Sequence, residues 1–83
     1  MKNTNSLIID DGDIIVMTVR KFITFPSEAW MNHFADVRKF FIVRSVNNNG
    51  TLKLIDSRGR LTWAHTSRVD RIAKKYYEIK KEA

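Results

Sequence analysis

The chain has 83 residues, no cysteine, 43% apolar residues and a formal net charge of +6. That length supports one domain rather than two, and the apolar fraction is too high for a disordered segment. The missing cysteine excludes disulfides and thiolate metal sites, and with no signal-peptide pattern among the first residues a cytoplasmic location is expected. No apolar run approaches the ~20 residues of a membrane span, so no membrane partner is expected.

Residues 1–9 read as a flexible N-terminal arm ahead of one domain over 10–83, with Asp11-Gly12 as a turn signal. From Asp13 to Phe25 the pattern has period two. Ile15, Met17, Val19, Lys21, Ile23 and Phe25 fall on one side and Thr18, Arg20 and Thr24 on the other, which predicts a long first strand. Thirteen residues call for a bend or bulge near Arg20-Lys21. Pro26 ends the strand, because proline cannot donate to a ladder.

In residues 27–36, Ser27 suits an N-cap, Glu28 suits a first turn, and Trp30 and Phe34 stand four apart. A short helical insertion is expected there, its aromatics over one mouth of the sheet. Lys39–Val46 is a second strand, apolar on both faces near Phe40-Phe41-Ile42. Asn49-Gly50 signals a type I′ hairpin turn. Thr51–Ser57 is the third strand, with Leu52 and Leu54 on the face opposite Lys53. Arg58-Gly59 turns the chain into a fourth, Arg60–His65, where Leu61, Trp63 and His65 alternate with Arg60, Thr62 and Ala64. Thr66-Ser67-Arg68 breaks the alternation and predicts one 3₁₀ turn. Val69–Ile72 reads as a short closing strand. The spacing of Ile72, Ala73, Tyr76 and Ile79 predicts a helix over about 71–82, capped by Asp70 and packed on the sheet through Ile72, Tyr76 and Ile79.

In that order the elements resemble a mainly β fold, the five-stranded SH3-like barrel with a helical insertion and a C-terminal helix. The stretch LIDSRGRLTWAHTSRVDRI carries a second resemblance. Its Gly59, Trp63, His65, Arg68 and Val69 follow a glycine turn, an apolar-Trp-apolar-His strand and a basic residue with valine. It is similar to the end of the C-terminal DNA-binding domain of retroviral and retrotransposon integrases. The chain also resembles KOW-type modules, although it lacks the glycine of their first hairpin. These resemblances imply a small barrel and nucleic-acid binding, with no integrase activity, since the acidic catalytic triad is missing. Small basic one-domain chains of this kind also resemble accessory proteins of phages and plasmids.

The charge agrees with that expectation. Residues 1–13 set Lys2 against Asp10, Asp11 and Asp13. From Arg38 onward, twelve Lys or Arg stand against Asp56, Asp70, Glu78 and Glu82. A basic half on a folded domain suits nucleic acid, and it also serves solubility. Lys53, Arg58, Arg60, Arg68 and Arg71 are the candidate phosphate contacts. Trp63 is either a rim aromatic beneath the C-terminal helix or an exposed platform for a base. The expected function is non-enzymatic binding of nucleic acid, duplex DNA in particular, with low sequence specificity and no cofactor or metal. His33 and His65 are too few to complete a zinc site without cysteine. Ser67 beside His65, with Asp56 or Asp70, lacks a nucleophile-elbow motif, so His65 is expected as a hydrogen-bonded rim residue. The alternative is a protein-interaction module, a regulator holding a host protein in an aromatic groove of Trp30, Phe34, Trp63 and Tyr77.

Overall fold

The computed structural model describes residues 8–82. Its strands are β1 (Ile14–Ile23), β2 (His33–Val46), β3 (Thr51–Ile55), β4 (Leu61–His65) and β5 (Val69–Lys74), followed by a short helix, α1 (Tyr76–Glu82). The strands form one antiparallel sheet in the order β4-β3-β2-β1-β5. Among the described residues no helix is long and apolar enough to cross a membrane. Most of the expected arm, residues 1–7, lies outside the described residues; Ile9 is not part of an arm but is buried in the core.

Residues opposed across antiparallel strands share a face, so the register sorts the side chains. Ile15 stands opposite Phe41, Met17 opposite Val69, Val43 opposite Leu54, and Leu52 opposite Ala64. These residues make the inner face, and Ile15, Leu52 and Leu54 are fully buried. Ala64 on β4 and Val69 on β5 pack into the same cluster although their strands end opposite sides of the sheet. The sheet is therefore curled around one small core. Bulges account for the curl. Arg44 in β2, and Asp70 and Ala73 in β5, are extra residues that their partner strands skip. Each such insertion bends its strand and raises the local twist. The bend expected near Arg20-Lys21 is not found. β1 and β2 pair without a break from Ile14 to Ile23.

Two predicted helices are corrected. Residues 27–36 contain only a 3₁₀ turn, Ala29–Met31, and His33 already belongs to β2. Extending β2 gives the second half of β1 its only ladder partner among the described residues, so strand pairing wins over the helical spacing of Trp30 and Phe34. At the C-terminus, Ile72 pairs with Ile15, which keeps β5 extended to Lys74. Asp70 is no N-cap; its carboxylate accepts the Thr18 hydroxyl at 2.7 Å. The 3₁₀ turn over Thr66–Arg68 is found as expected.

The hairpins also differ in detail. In the first, Gly50 N–H donates to the Asn47 carbonyl (3.0 Å) and Asn47 N–H to the Thr51 carbonyl (2.9 Å). The central turn residues are thus Asn48-Asn49, and Gly50 takes the following left-handed position at φ +89°. This is the three-residue loop with a glycine bulge rather than a type I′ turn. Asp56 to Arg60 repeats the pattern, with Gly59 at φ +82°.

One buried carboxylate ties the two ends of the chain together. Asp13 is fully buried; its Oδ2 accepts Asp10 N–H (2.8 Å) and the Lys75 ammonium (2.6 Å), and its Oδ1 accepts Tyr76 N–H (2.8 Å). Lys75 completes its donors on the Ile8 carbonyl (3.0 Å) and Asp10 Oδ2 (2.9 Å). Glu78 reaches back to Lys75 N–H at 2.7 Å, so the first turn of α1 is capped by its own glutamate and by Asp13.

Burial alone pushes the Asp13 carboxyl up, but the Asp10 N–H, the Lys75 ammonium and the Tyr76 N–H outweigh it and hold it below its ordinary value. Burial likewise lowers Lys75, and its bonds to Asp13 and Asp10 outweigh that and raise it. The unfolded chain therefore binds a proton at Asp13 more readily than the folded one. That stability is present above the ordinary aspartate range and is lost as pH falls through the folded value; the Lys75 share is lost as pH rises past the ordinary lysine range. Asp13→Asn is expected to cost about 3 kcal/mol in denaturant unfolding at neutral pH, because it removes the buried charge that pairs with Lys75 and leaves Asp10 as the one carboxylate, among the described residues, that the ammonium still meets. It should also flatten the acid limb of the stability profile. An unchanged acid limb would remove Asp13 from this role.

Candidate nucleic-acid interface

The side chains not used by the core form the outer face. On β3 and β4 the burial of Leu52 and Leu54, opposite Ala64 and Thr62, turns Lys53 and Trp63 outward as a directly opposed pair. Trp63 is 59% exposed. Of the two places open to it, Trp63 takes the exposed outer face, since the inward side of β4 is Thr62 and Ala64.

The candidate cations fall into groups. Arg58 and Arg60 sit in the β3–β4 turn, at the end of the two strands that carry the Lys53–Trp63 pair. Asp56 shapes that turn, its Oδ1 accepting the N–H groups of Arg58 and Arg60, both at 2.9 Å. The Arg60 N–H is the first cause holding the Asp56 carboxyl below its ordinary range; burial, next in size, raises it, and the Arg58 N–H with the positive charges of Arg60 and Lys39 lowers it further. The Arg60 side chain is 69% exposed and only 3.9 Å from Asp56, an exposed pairing that leaves it open to a phosphate. Arg68 lies elsewhere, in the 3₁₀ turn, with Nη2 3.5 Å from the Thr18 carbonyl. Arg71 is exposed on β5 opposite Val16, on the outer face. The structure thus opposes Lys53 and Trp63 on the outer face, leaves Arg58 and Arg60 in the turn that ends their two strands, and sets Arg68 in the 3₁₀ turn and Arg71 on β5 at the other end of the sheet.

His65 has a local task. Its Nδ1 accepts Ser67 N–H at 3.1 Å and lies 2.9 Å from the Ser67 hydroxyl, capping the 3₁₀ turn. Asp56 is engaged in its own turn and Asp70 with Thr18. The four aromatics of the expected groove occupy separate elements: Trp30 in the β1–β2 connection, Phe34 on β2, Trp63 on β4 and Tyr77 on α1. Phe34 instead meets Phe22 at 4.8 Å between ring centroids, and Tyr77 meets Tyr76 at 5.4 Å.

One outer feature was missed from the sequence. Ile14, Ile42, Ile55 and Leu61 stand in one row across β1 to β4. With Phe40 and Ser57 the first three line a groove of 220 Å³, and Phe40 is 55% exposed. The apolar run Phe40-Phe41-Ile42 signalled two apolar faces, but the row needs the register of four strands. Comparison with known proteins finds no family model that matches the chain, no matching curated protein and no matching solved structure.

The turn geometry gives a test of how the β4 end is fixed. A Cβ at Gly50 would lie 2.6 Å from His65 Nε2, whereas one at Gly59 meets nothing within 4 Å. Both glycines hold positive φ. Gly50→Ala should therefore destabilise more than Gly59→Ala, by about 1 kcal/mol or more in chemical denaturation. Adding His65→Ala to Gly50→Ala should narrow the gap. Equal costs for the two glycine variants would show that His65 does not crowd the hairpin.

Proposed function

We propose that this protein is a non-enzymatic nucleic-acid-binding domain of SH3-like barrel type, which holds duplex DNA with little sequence preference. The observation that carries the reading is the exposed Trp63 set directly opposite Lys53, beside a turn bearing Arg58 and Arg60. An aromatic ring flanked by cations suits a polyanion with stacking bases, because the cations neutralise phosphates while the ring covers a base or sugar. The net charge of +6 favours the same partner through long-range attraction. Low specificity follows from the residue types, since phosphate contacts position a duplex without reading it. The barrel reading draws support from the strand order and from the shared packing of Ala64 and Val69.

A second reading is favoured by the apolar groove between Ile14, Phe40, Ile42 and Ile55. Exposed apolar surface of this kind suits a protein partner, as in a regulator that holds a host protein.

Binding of a random-sequence duplex at two salt concentrations separates the readings. Affinity should fall steeply with salt, and Lys53→Ala with Arg58→Ala and Arg60→Ala should reduce the log–log slope by about 2 to 3. Trp63→Ala should weaken binding with little change in slope. No retention of DNA at low salt would sink the nucleic-acid reading and leave the groove.

A further inference from the structure

The outer half of the β1–β2 pair stands away from the rest of the sheet. β5 pairs with β1 only from Ile14 to Met17, and β3 pairs with β2 only from Ile42 to Val46. Among the described residues the two strands therefore pair only with each other from Thr18 to Ile23 and from His33 to Arg38. Six paired residues make a ribbon about 20 Å long. A two-stranded ribbon is marginal in water without support, so its contents matter.

The contents are aromatic and cationic. On the outer face Phe22 and Phe34 pack together, 47% and 57% exposed, with the Arg20 guanidinium 5.1 Å from the Phe34 ring centre. The tip is a built turn rather than a loose loop. Glu28 N–H donates to the Phe25 carbonyl (3.0 Å), the Asn32 side chain accepts Phe25 N–H (2.7 Å), and Asn32 N–H closes on the Ala29 carbonyl (3.0 Å). That turn holds Trp30 at the apex, 81% exposed. Where the ribbon leaves the sheet it is ringed by positive charge. Arg38 stands opposite Thr18, Arg68 reaches the Thr18 carbonyl, and Lys39 follows Arg38. Asp36, opposite Arg20, and Asp70, bound to the Thr18 hydroxyl, are the acids at this level.

We propose that this ribbon is a groove-entering arm, which lies in the major groove of duplex DNA with Trp30 as its leading contact and the cations at its base on the flanking phosphates. The inference rests on the nucleic-acid reading above and adds a second contact region to it. Three observations carry it. The ribbon's width, two strands about 5 Å apart with their side chains, fits the ~12 Å major groove of B-form DNA. The charge is complementary at the base, where the cations match flanking phosphates, while the tip presents Trp30 to base edges and thymine methyl groups and carries one acid, Glu28. The placement suits a long ligand. Phe34 and Ser45 lie at the two ends of the outer face of β2, about 36 Å apart along the strand. Ser45 faces Lys53, which faces Trp63. That length is about one turn of a duplex. DNA is favoured over duplex RNA, whose major groove is too deep and narrow to admit a ribbon.

The chain has two tryptophans, so each region can carry its own fluorophore. Trp63→Phe leaves Trp30 as the reporter, and Trp30→Phe leaves Trp63. Trp30 is so exposed that its replacement should not disturb folding, which circular dichroism checks. Titrated with a random-sequence DNA duplex, both reporters should be quenched. Trp30→Ala should weaken binding about tenfold. It should also remove protection of guanine N7, a major-groove atom, from methylation. Duplex binding that quenches Trp63 but leaves Trp30 emission unchanged, with Trp30→Ala within twofold of the parent, overturns the arm and leaves the nucleic-acid reading standing. Equal quenching of Trp30 by an RNA duplex of the same sequence overturns the major-groove assignment. Absence of binding to any duplex overturns both.

Discussion

A buried carboxylate governs how this sheet is closed off at its ends. Asp13 has no solvent to share its charge, so every lone-pair direction it uses must meet a fixed donor. The donors come from three places: the turn at Asp10, the Lys75 ammonium and the first N–H of α1. The same residue's backbone carbonyl accepts Val43 N–H at 2.8 Å, and Gly12 N–H donates to the Val43 carbonyl at 2.7 Å. A single position therefore joins the N-terminal turn, the middle of β2, the end of β5 and the start of α1. Without it, β5 would hold on through a ladder interrupted by two bulges.

That arrangement leaves a division of labour along β1 and β2. Their inner halves are flanked on both sides and supply Ile15, Met17, Phe41 and Val43 to the core. Their outer halves extend past every neighbour and supply nothing fully buried. With so few residues in the core, a chain this short gains little from lengthening two strands into solvent unless the extension meets something else. The exposed aromatics on that extension and the exposed Trp63 at the other end of the outer face point to the same kind of surface. It is the surface on which the proposed nucleic-acid reading rests.

Much of the strand pattern was legible because strand signals here are local. The alternation in Asp13–Phe25, the paired leucines Leu52 and Leu54, the asparagine-glycine hairpin and the break at Thr66-Ser67-Arg68 each rest on a few neighbouring residues. The two helix predictions erred for a common reason: residues 27–36 hold only a 3₁₀ turn, and the C-terminal helix is found but begins at Tyr76 rather than near 71. Trp30 with Phe34, and Ile72 with Tyr76 and Ile79, have helical spacing, but Phe34 and Ile72 have ladder partners in β1, namely Phe22 and Ile15. Pairing across the sheet outweighs a weak local preference. The candidate site was half legible. Residue type picked out Lys53, Arg58, Arg60 and Trp63. It could not reveal that Trp63 faces outward, because β4 alternates in both directions and only the partners of Leu52 and Leu54 decide which side is inner.

By itself the sequence determined the composition of the protein's surface and core: a cysteine-free, basic, aromatic-rich chain whose turns and alternations commit it to β structure. Only the tertiary structure decided which face each strand buries, where the bulges curl the sheet, and that β1 and β2 run on together as a ribbon. The physical reason is that side-chain period along a strand is local, whereas register, burial and the satisfaction of a buried charge such as Asp13 depend on residues brought together from opposite ends of the chain.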